Sequence, residues 1–240
     1  MRTCVIYSGQ TRSFAQVYLN HYWHVLRKLP SPEFFISVAD DAQASDMCRL
    51  NTFFPDVSIH IEYVTQPTLP EPPDDPPFHN IYPRDKATIQ DVLRQLWALD
   101  RAWDFYRSFD VTHEIVVRIR PDLAFGRFEM PLFYDPSWGP ENDKQCYTPY
   151  WARWGGVNDR LAVMGRYAAS HYFRTLRAVP VLRAQGCPLH PEQLVNASLE
   201  EGGICPSHTL ATEFITVRLD GSFVPMSITE IDKLEYARSR

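Results

Sequence analysis

Short apolar runs alternate with amphipathic segments along the first half of this 240-residue chain, and that alternation restricts the fold to the α/β class. Cys4 to Tyr7 is a β-rich run that stops at Ser8-Gly9, and apolar positions from Phe14 to Leu26 then recur at helical spacing. Further strands are predicted at Phe34 to Val38, Val57 to Val64 and Glu114 to Ile119. The sequence therefore predicts a Rossmann-like, mostly parallel central sheet flanked by helices in a single domain.

The rest of the chain is predicted to add helices and a terminal hairpin. Apolar positions at intervals of three and four predict a long amphipathic helix from Lys86 to Phe109. Prolines between Gln66 and Pro83 can neither continue a helix nor donate within a sheet, so this segment is predicted to be an exposed loop, either a passive connection or a lid. The remaining predicted elements are a turn at Gly155-Gly156, a strand at Leu161 to Gly165, helices at Ala168 to Ala178 and Pro191 to Glu201, and a hairpin of Ile215 to Leu219 with Phe223-Val224.

Charge and cysteine usage narrow the functional classes. The chain carries 24 Lys and Arg residues against 29 Asp and Glu residues, a net charge of -5, which argues against an extended nucleic-acid surface. A small phosphorylated ligand needs only a local basic pocket. The five cysteines are odd in number and widely scattered, which indicates reduced thiols in the cytoplasm. No apolar stretch has the length of a transmembrane segment, so any membrane contact is expected to be peripheral.

Two arginines and a carboxylate are clustered at the end of the strand predicted at Glu114 to Ile119. Arg118 and Arg120 are two positions apart and therefore share a face of the strand, and Asp122 lies just beyond it. Guanidinium groups suit phosphate oxygens, while a carboxylate suits a divalent metal or a sugar hydroxyl. Taken alone, the pattern fits a ligand site and a structural ion pair equally well.

Two loops supply further candidates. The turn of Ser8, Gly9, Gln10, Thr11 and Arg12 precedes a predicted helix, where backbone N–H groups and an arginine bind phosphate, although a tight turn with a solvated arginine is the alternative. Asp40, with its neighbour Asp41, ends the second strand and is a candidate for ribose or base contacts, or simply a capped loop start. Aromatic residues before Gly155 are candidates for stacking on sugars or for ordinary packing: Tyr150, Trp151 and Trp154.

The order of these motifs resembles a group of bacterial and viral glycosyltransferases that build capsules, lipopolysaccharide or other surface glycans. The resemblance covers most of the chain and rests on SGQTRSF, FFISVAD, VVRIRPDLAF, GGVNDRLAVMG and PEQLVNASLEEGGI. It implies a GT-A-like domain over residues 1–240, in which residues 1–125 bind a UDP- or GDP-sugar donor and residues 126–240 bind a glycan acceptor. The implied reaction is transfer of a sugar to an acceptor hydroxyl, and the alternative is a catalytically silent nucleotide- or glycan-binding module.

The resemblance also implies roles for individual residues. The SGQTRSF turn and Asp40 would hold the nucleotide, and Arg118-x-Arg120-x-Asp122 would take the place of the D-x-D metal motif. Asn158 and Asp159 would lie near the transferred sugar or the acceptor, and Gly156 would join Asn158 in binding the nucleotide-sugar. Asp159 is the first candidate for the base that deprotonates the acceptor, because it follows a glycine turn, and Glu192 is the second. His190 is a candidate ligand for a metal or the diphosphate, although a lone histidine before proline is more often structural.

Arg120 stands where the first acidic residue of a D-x-D motif is expected, and two accounts of the diphosphate follow. In the first, Asp122 anchors Mn²⁺ or Mg²⁺, with His190 as a further candidate ligand. In the second, Arg118 and Arg120 neutralise the diphosphate directly and no metal is required. The sequence leaves both accounts open.

Overall fold

A computed structural model describes residues 2–70, 86–129 and 142–224. Its helices are α1 (Phe14–His24), α2 (Lys86–Arg107), α3 (Arg166–Phe173), α4 (Thr175–Ala184) and α5 (Pro191–Glu201), with 3₁₀ helices at Leu26–Lys28 and Ala44–Thr52. Its strands are β1 (Thr3–Gly9), β2 (Pro32–Ala39), β3 (Ile59–Val64), β4 (Ile115–Ile119), β5 (Leu123–Phe128), β6 (Cys146–Tyr147), β7 (Leu161–Met164), β8 (Thr212–Val217) and β9 (Phe223–Val224).

Within these ranges, six strands form the central sheet in the order β3-β2-β1-β4-β7-β6. The strands from β3 to β4 are parallel, whereas β7 runs antiparallel to β4 and to β6. A smaller antiparallel sheet, β5-β8-β9, is formed by strands that the same ranges include. This mostly parallel sheet with flanking helices confirms the predicted α/β fold class.

Both faces of the central sheet are buried, as expected for parallel strands covered by helices. Successive side chains of β1 alternate between the faces, with Cys4 and Ile6 on one side and Val5 and Tyr7 on the other. The face with Cys4 packs against α2, α3, α4 and α5. The opposite face packs against α1 and the smaller sheet. The strand ends are therefore the parts of the sheet that remain open for a site.

Some predicted elements differ from the structure. The single helix predicted from Ala168 to Ala178 is divided into α3 and α4 at Arg174, where the Thr175 hydroxyl donates to the Tyr172 carbonyl at 2.9 Å. The hairpin at the end of the described chain is confirmed, although β8 begins at Thr212 rather than at Ile215. The predicted loop from Gln66 to Pro83 lies largely outside the described residues, which end at residue 70 before resuming at residue 86.

The described ranges contain no candidate membrane span and hold all five cysteines as free thiols. None of the helices described there is both long enough and apolar enough to cross a membrane. The cysteines at positions 4, 48, 146, 187 and 205 all lie within those ranges and are free thiols.

Candidate functional site

A cleft of about 150 Å³ lies at the carboxyl ends of β1 and β4. This is a topological switch point of the sheet, because β2 and β3 lie on one side of β1 and β4 lies on the other. Open α/β sheets bind ligands at such a point, where the loops after neighbouring strands diverge. The cleft is lined by the end of β1, the end of β4, the loops that follow these two strands and the first half of α2, with Gln66 from the segment after β3.

The lining of the cleft is rich in arginine. Among the described residues, four arginines and two aspartates contribute to it: Arg12, Arg94, Arg118, Arg120, Asp91 and Asp122. Two of the four arginines, Arg118 and Arg120, were predicted from their spacing on the strand, and the structure places them in one cleft with Arg12 from the other predicted loop. The excess of cationic groups favours an anionic ligand.

Arg118 is the most buried of these cations, with 2% of its surface exposed. Its Nη1 donates to the Arg160 carbonyl at 2.7 Å, while its buried Nε has no hydrogen-bond partner among the residues that the structure describes. Burial lowers the pKa of Arg118, a shift that nearby Tyr172 and Asp159 oppose. The side chain is therefore a desolvated cation with one donor that no described residue satisfies.

Arg120 and Asp122 form a two-pronged ion pair at the edge of the cleft. Arg120 Nε donates to Asp122 Oδ1 at 3.0 Å, and Arg120 Nη2 donates to Asp122 Oδ2 at 2.7 Å. Arg12 Nη1 lies 3.7 Å from the same Oδ2. Burial raises the pKa of Asp122, but Arg120 and Arg12 outweigh it, so the net pKa is below the usual range. Asp122 thus links the end of β4 to the loop after β1.

The end of β1 and the loop after it bring several predicted residues to the cleft. Ser8, Gly9, Gln10 and Arg12 line it, whereas Thr11 and Asp40 do not. The buried Ser8 hydroxyl has no hydrogen-bond partner in the described part of the chain, and Gly9 (φ +106°) adopts the left-handed conformation. Arg12 also has a positive φ, of 38°, a conformation that is uncommon for a residue other than glycine.

Thr11 and Asp40 occupy supporting and solvent-facing positions. The Thr11 hydroxyl donates to Asp41 Oδ1 at 2.8 Å and so ties the loop after β1 to the loop after β2. Asp40 is exposed at the end of β2, at the same carboxyl edge of the sheet as the cleft. Its side chain remains accessible to a ligand that extends beyond the cleft.

The two carboxylates predicted as bases lie behind the cleft rather than in its lining. Asp159 is buried, and Gln95 Nε2, from a residue that lines the cleft, donates to its Oδ2. The other oxygen, Oδ1, has no hydrogen-bond partner within the described ranges and lies 3.9 Å from Arg160 Nη1. One side chain, that of Gln95, thus lies between Asp159 and the cleft.

Glu192 and His190 form the deeper part of this buried group. His190 Nδ1 lies 3.0 Å from Glu192 Oε2, and Arg160 Nη1 lies 3.8 Å from Glu192 Oε1. Burial, reinforced by Asp159, raises the pKa of Glu192. Two neighbouring carboxyl groups in a site of this kind tend to take different protonation states. Burial and the nearby Asp159 carboxylate thus favour the protonated form of Glu192.

Gly156 and Asn158 make contacts within the fold. A Cβ on Gly156 would lie 2.1 Å from the Glu192 carbonyl oxygen, so the turn packs directly on the start of α5. Asn158 Nδ2 donates to the Trp151 carbonyl at 2.9 Å, and its Oδ1 accepts from the Arg160 amide at 3.0 Å. Neither residue lines the cleft. Their contacts instead fix the backbone that carries Asp159 and Arg160.

The aromatic residues before Gly155 also divide into packed and exposed ones. Trp151 is buried, and its Nε1 donates to the Thr212 carbonyl at 3.1 Å. Its ring packs on Phe214 with centroids 4.4 Å apart. Packing thus accounts for Trp151, whereas Tyr150 is 43% exposed.

One side of the cleft was not predicted from the sequence. Asp91, Arg94, Gln95 and Ala98 of α2 line it, and Gln66 adds to them from the segment after β3. The four helical positions follow the spacing of three, four and seven that places residues on one helix face. That spacing was the available signal, because it places three polar side chains and the small Ala98 on one face of the amphipathic helix.

The carboxylates and histidines of the site do not match a tightly held metal ion. Both oxygens of Asp122 are bound by Arg120, and His190 contacts Glu192 without lining the cleft. Across the described residues, no three His, Cys, Asp or Glu side chains converge as a metal-ligand group. Binding of Mn²⁺ or Mg²⁺ by Asp122 and His190 stays a prediction that a metal-dependence assay tests.

Comparisons with known proteins give structural similarities alone. No protein-family model matches the chain, and no curated protein matches its sequence. The apo form of the glycosyltransferase GlyE from Streptococcus pneumoniae TIGR4 is similar at 11% identity and a TM-score of 0.45, over 86% of this chain and 45% of that one. Another GlyE structure is similar at 12% identity and a TM-score of 0.43, over 86% and 44%.

A third similar structure is a glycosyltransferase involved in glycosylation of the major capsid of PBCV-1, at 12% identity and a TM-score of 0.34, over 76% of this chain and 67% of that one. The chain spans less than half the length of the GlyE structures. Similarity at this level assigns no activity to this chain, so the function is argued from the cleft.

Proposed function

We propose that this chain is a glycosyltransferase that moves a sugar from a UDP- or GDP-sugar donor to a hydroxyl of a glycan acceptor. The observation that carries the proposal is the arginine-lined cleft at the β1–β4 switch point, in which the buried Arg118 keeps an unpartnered Nε. A diphosphate supplies both the negative charge and the hydrogen-bond acceptors that such a cation lacks. The order of motifs that resembles surface-glycan glycosyltransferases supports the same donor class.

The arginines act on the leaving group in this proposal. As the bond from the anomeric carbon to the diphosphate breaks, its electrons pass to the leaving phosphate oxygen. Arg118 and Arg120 stabilise the charge that develops there, and Arg12 and Arg94 add to the cationic field. The Ser8 hydroxyl and the Gly9 backbone provide uncharged contacts to the phosphates. Asp40, at the end of β2, contacts the ribose or base.

We assign charge neutralisation to the arginines rather than to a metal ion. Both carboxylate oxygens of Asp122 accept hydrogen bonds from Arg120, so in this account Asp122 orients that guanidinium. Guanidinium groups bind phosphate oxygens in pairs and hold their charge at every physiological pH. Donor turnover is therefore expected in the presence of a chelator.

The acceptor half of the proposal centres on Asp159. Residues 126–240 form the acceptor side, and Asp159 accepts the proton of the attacking hydroxyl when Gln95 swings away from it. Glu192, which lies behind it with a raised pKa, is the second candidate for this proton. The new bond forms between the acceptor oxygen and the anomeric carbon, and the nucleoside diphosphate departs.

A second candidate function is a catalytically silent nucleotide- or glycan-binding module. The observation that favours it is the engagement of the site's buried carboxylates, with Asp122 held by Arg120 and Asp159 held by Gln95. Such a module binds the donor through the same arginines and releases no nucleotide.

The test is a panel of UDP- and GDP-sugars, scored for thermal stabilisation and for nucleotide release, with Mn²⁺, with Mg²⁺ and with EDTA. We expect one donor to stabilise the wild type and to be turned over slowly by water, with EDTA having little effect. Arg118→Gln should lose both signals, and Asp159→Asn should keep the stabilisation and lose the release. Stabilisation without release from the wild type, even with candidate glycan acceptors, favours the silent module. No stabilisation by any donor contradicts the donor site itself.

A further inference from the structure

A second cavity, of about 350 Å³, lies between the C-terminal half of α2 and the start of α3. It includes Arg107 of α2, and Arg94 of the cleft is thirteen residues earlier on the same helix, a separation of about 20 Å along the axis. Because β7 is antiparallel to β4, the helix that follows β7 begins at the opposite edge of the sheet from the cleft. The two cavities are therefore separate sites.

Three arginines from three places in the chain line this cavity: Arg107 on α2, Arg166 at the first position of α3, and Arg174 between α3 and α4. Neither Arg107 nor Arg166 forms an ion pair with a residue that the structure describes. The Nε of Arg174 is buried without a hydrogen-bond partner in the same ranges, and its Nη2 lies 3.7 Å from Asp104 Oδ1. The three arginines thus keep N–H donors that no described residue engages.

The acidic residue of the lining is already engaged. Asp143 Oδ1 accepts the Tyr167 amide at 2.9 Å, and its carbonyl accepts the Ala168 amide at 3.0 Å, so it caps the start of α3. Lys144 adds another cation beside the cavity, with its Nζ 5.1 Å from the centre of the Tyr167 ring. The lining thus carries three arginines against one aspartate, which gives the cavity a net positive charge.

We propose that this cavity binds the phosphate monoester of a small phosphorylated molecule. A monoester carries a charge of about -1.5 to -2 and three acceptor oxygens, which match three guanidinium groups that approach from different elements. A carboxylate, with two oxygens in one plane, pairs fully with only one guanidinium. The volume is within the range of small-molecule sites, about 300–1,000 Å³, and exceeds the needs of free phosphate. The exposed ring of Tyr167 provides an apolar wall for the organic part of the ligand.

The test has to distinguish phosphate binding in this cavity from phosphate binding in the arginine-lined cleft. The protein used is therefore the full chain carrying Arg118→Gln, which removes the unpartnered donor of the cleft. Glucose 6-phosphate and inorganic phosphate are titrated into it by calorimetry. We expect saturable binding, tighter for glucose 6-phosphate than for inorganic phosphate.

Variants in the cavity then locate the binding. Arg107→Gln and Arg166→Gln, each added to Arg118→Gln, should weaken glucose 6-phosphate binding by about tenfold or more, since each removes a charge-assisted hydrogen bond. Arg101→Gln is the matched control, because Arg101 is an exposed arginine on α2 that pairs with Glu62 and lines neither cavity. It should change the affinity less than twofold. Arg107 is itself exposed, so its replacement does not threaten folding.

Vesicles distinguish a lipid phosphate from a free one. Sedimentation with phosphatidic acid vesicles, compared with phosphatidylcholine vesicles, should show Arg166-dependent binding if the natural source is a lipid headgroup. Binding of the soluble sugar phosphate alone indicates a free metabolite, and either result supports the site. Binding that is unchanged by both cavity variants, or the absence of any binding once Arg118 is replaced, overturns the proposal.

Discussion

The Arg120 guanidinium binds both carboxylate oxygens of Asp122, with an Nε–Oδ1 distance of 3.0 Å and an Nη2–Oδ2 distance of 2.7 Å. Asp122 is 2% exposed, so the pair lies largely out of water at the edge of the cleft. The geometry gives Asp122 a structural task whatever else it does, because removal of either partner leaves a charge behind in a buried place.

Replacement of Asp122 by asparagine should therefore cost stability before any ligand is added. We expect Asp122→Asn to lower the free energy of unfolding by roughly 3 kcal/mol, as is typical when one partner of a buried pair is removed. Urea denaturation followed by circular dichroism measures this change. Asp91→Asn is the control, since Asp91 also lines the cleft but its side chain is 78% exposed, and no measurable change is expected there. A fully stable Asp122→Asn protein contradicts the structural role of the pair.

The turn at Gly156 should tolerate no side chain. In Gly156→Ala the new Cβ meets the Glu192 carbonyl oxygen at 2.1 Å and the Gln193 amide nitrogen at 2.6 Å, and both are backbone atoms that cannot rotate away. We expect a loss of about 3 kcal/mol or more, at the upper end of overpacking effects. Gly126→Ala offers a matched comparison, because its Cβ meets its nearest neighbour at an ordinary 3.6 Å. Equal unfolding midpoints for the two variants would refute the close approach of the turn to α5.

His21 should make the fold sensitive to acid. Burial lowers its pKa from 6.5 to about 4, against opposing contributions from the Leu123 carbonyl and Asp122. The unfolded chain takes up a proton at this group below pH 6.5, whereas the folded chain does not until about pH 4. The free energy of unfolding therefore falls as the pH is lowered from 6.5 to about 4. The expected contribution is about 3 kcal/mol, from 1.36 kcal/mol per unit of pKa difference.

Nuclear magnetic resonance titration of the His21 ring measures this pKa directly. The ring Nδ1 lies 2.9 Å from the Tyr7 hydroxyl, and Nε2 contacts the Leu123 carbonyl, so the neutral ring donates from Nε2 and accepts at Nδ1. A His21→Gln protein should lose the part of the acid sensitivity that this group supplies. Protonation of the ring near pH 6.5 in the folded protein is the result that contradicts the prediction.

Asp159→Asn tests the proposed base. The asparagine side chain keeps an oxygen to accept from Gln95, so the fold should survive while the capacity to take a proton is lost. We expect the rate of sugar transfer to fall by about 100-fold or more, with donor affinity changed less than twofold. Glu192→Gln is the comparison, because it neutralises the carboxyl group behind Asp159. Should Glu192→Gln abolish transfer while Asp159→Asn leaves it intact, the base is Glu192.

The sequence predicted the fold and one side of the site because local pattern determines both. The β-branched run at β4 and the apolar run that reaches Ser8-Gly9 at the end of β1 identify two strands, and the carboxyl ends of parallel strands share an edge. The clustering of Arg118 and Arg120 with the loop after β1 follows from that rule.

The other side of the site depends on how α2 packs on the sheet, and the local pattern identifies only which residues share a helix face. α2 was recognised by its apolar positions, and its polar face at Asp91 to Ala98 meets the cleft only through the way the helix crosses the sheet. β5 was missed because its partner β8 lies about ninety residues later, as the pairing of Leu123 with Thr216 shows. The contacts of Asn158 and Gly156 depend on the direction of a loop, which spacing in the sequence does not encode.

The most direct test of the account is the affinity of UDP and GDP for the wild type, Arg118→Gln and Arg101→Gln, measured by calorimetry in the presence of EDTA. Arg118 is buried and forms no ion pair with a carboxylate among the described residues, so replacing it with a neutral residue leaves no unpaired charge behind. We predict that the wild type and Arg101→Gln bind one of the two nucleotides equally well and that Arg118→Gln binds it at least about tenfold more weakly. Equal affinity in all three proteins would contradict the claim that the arginine cleft binds the donor diphosphate.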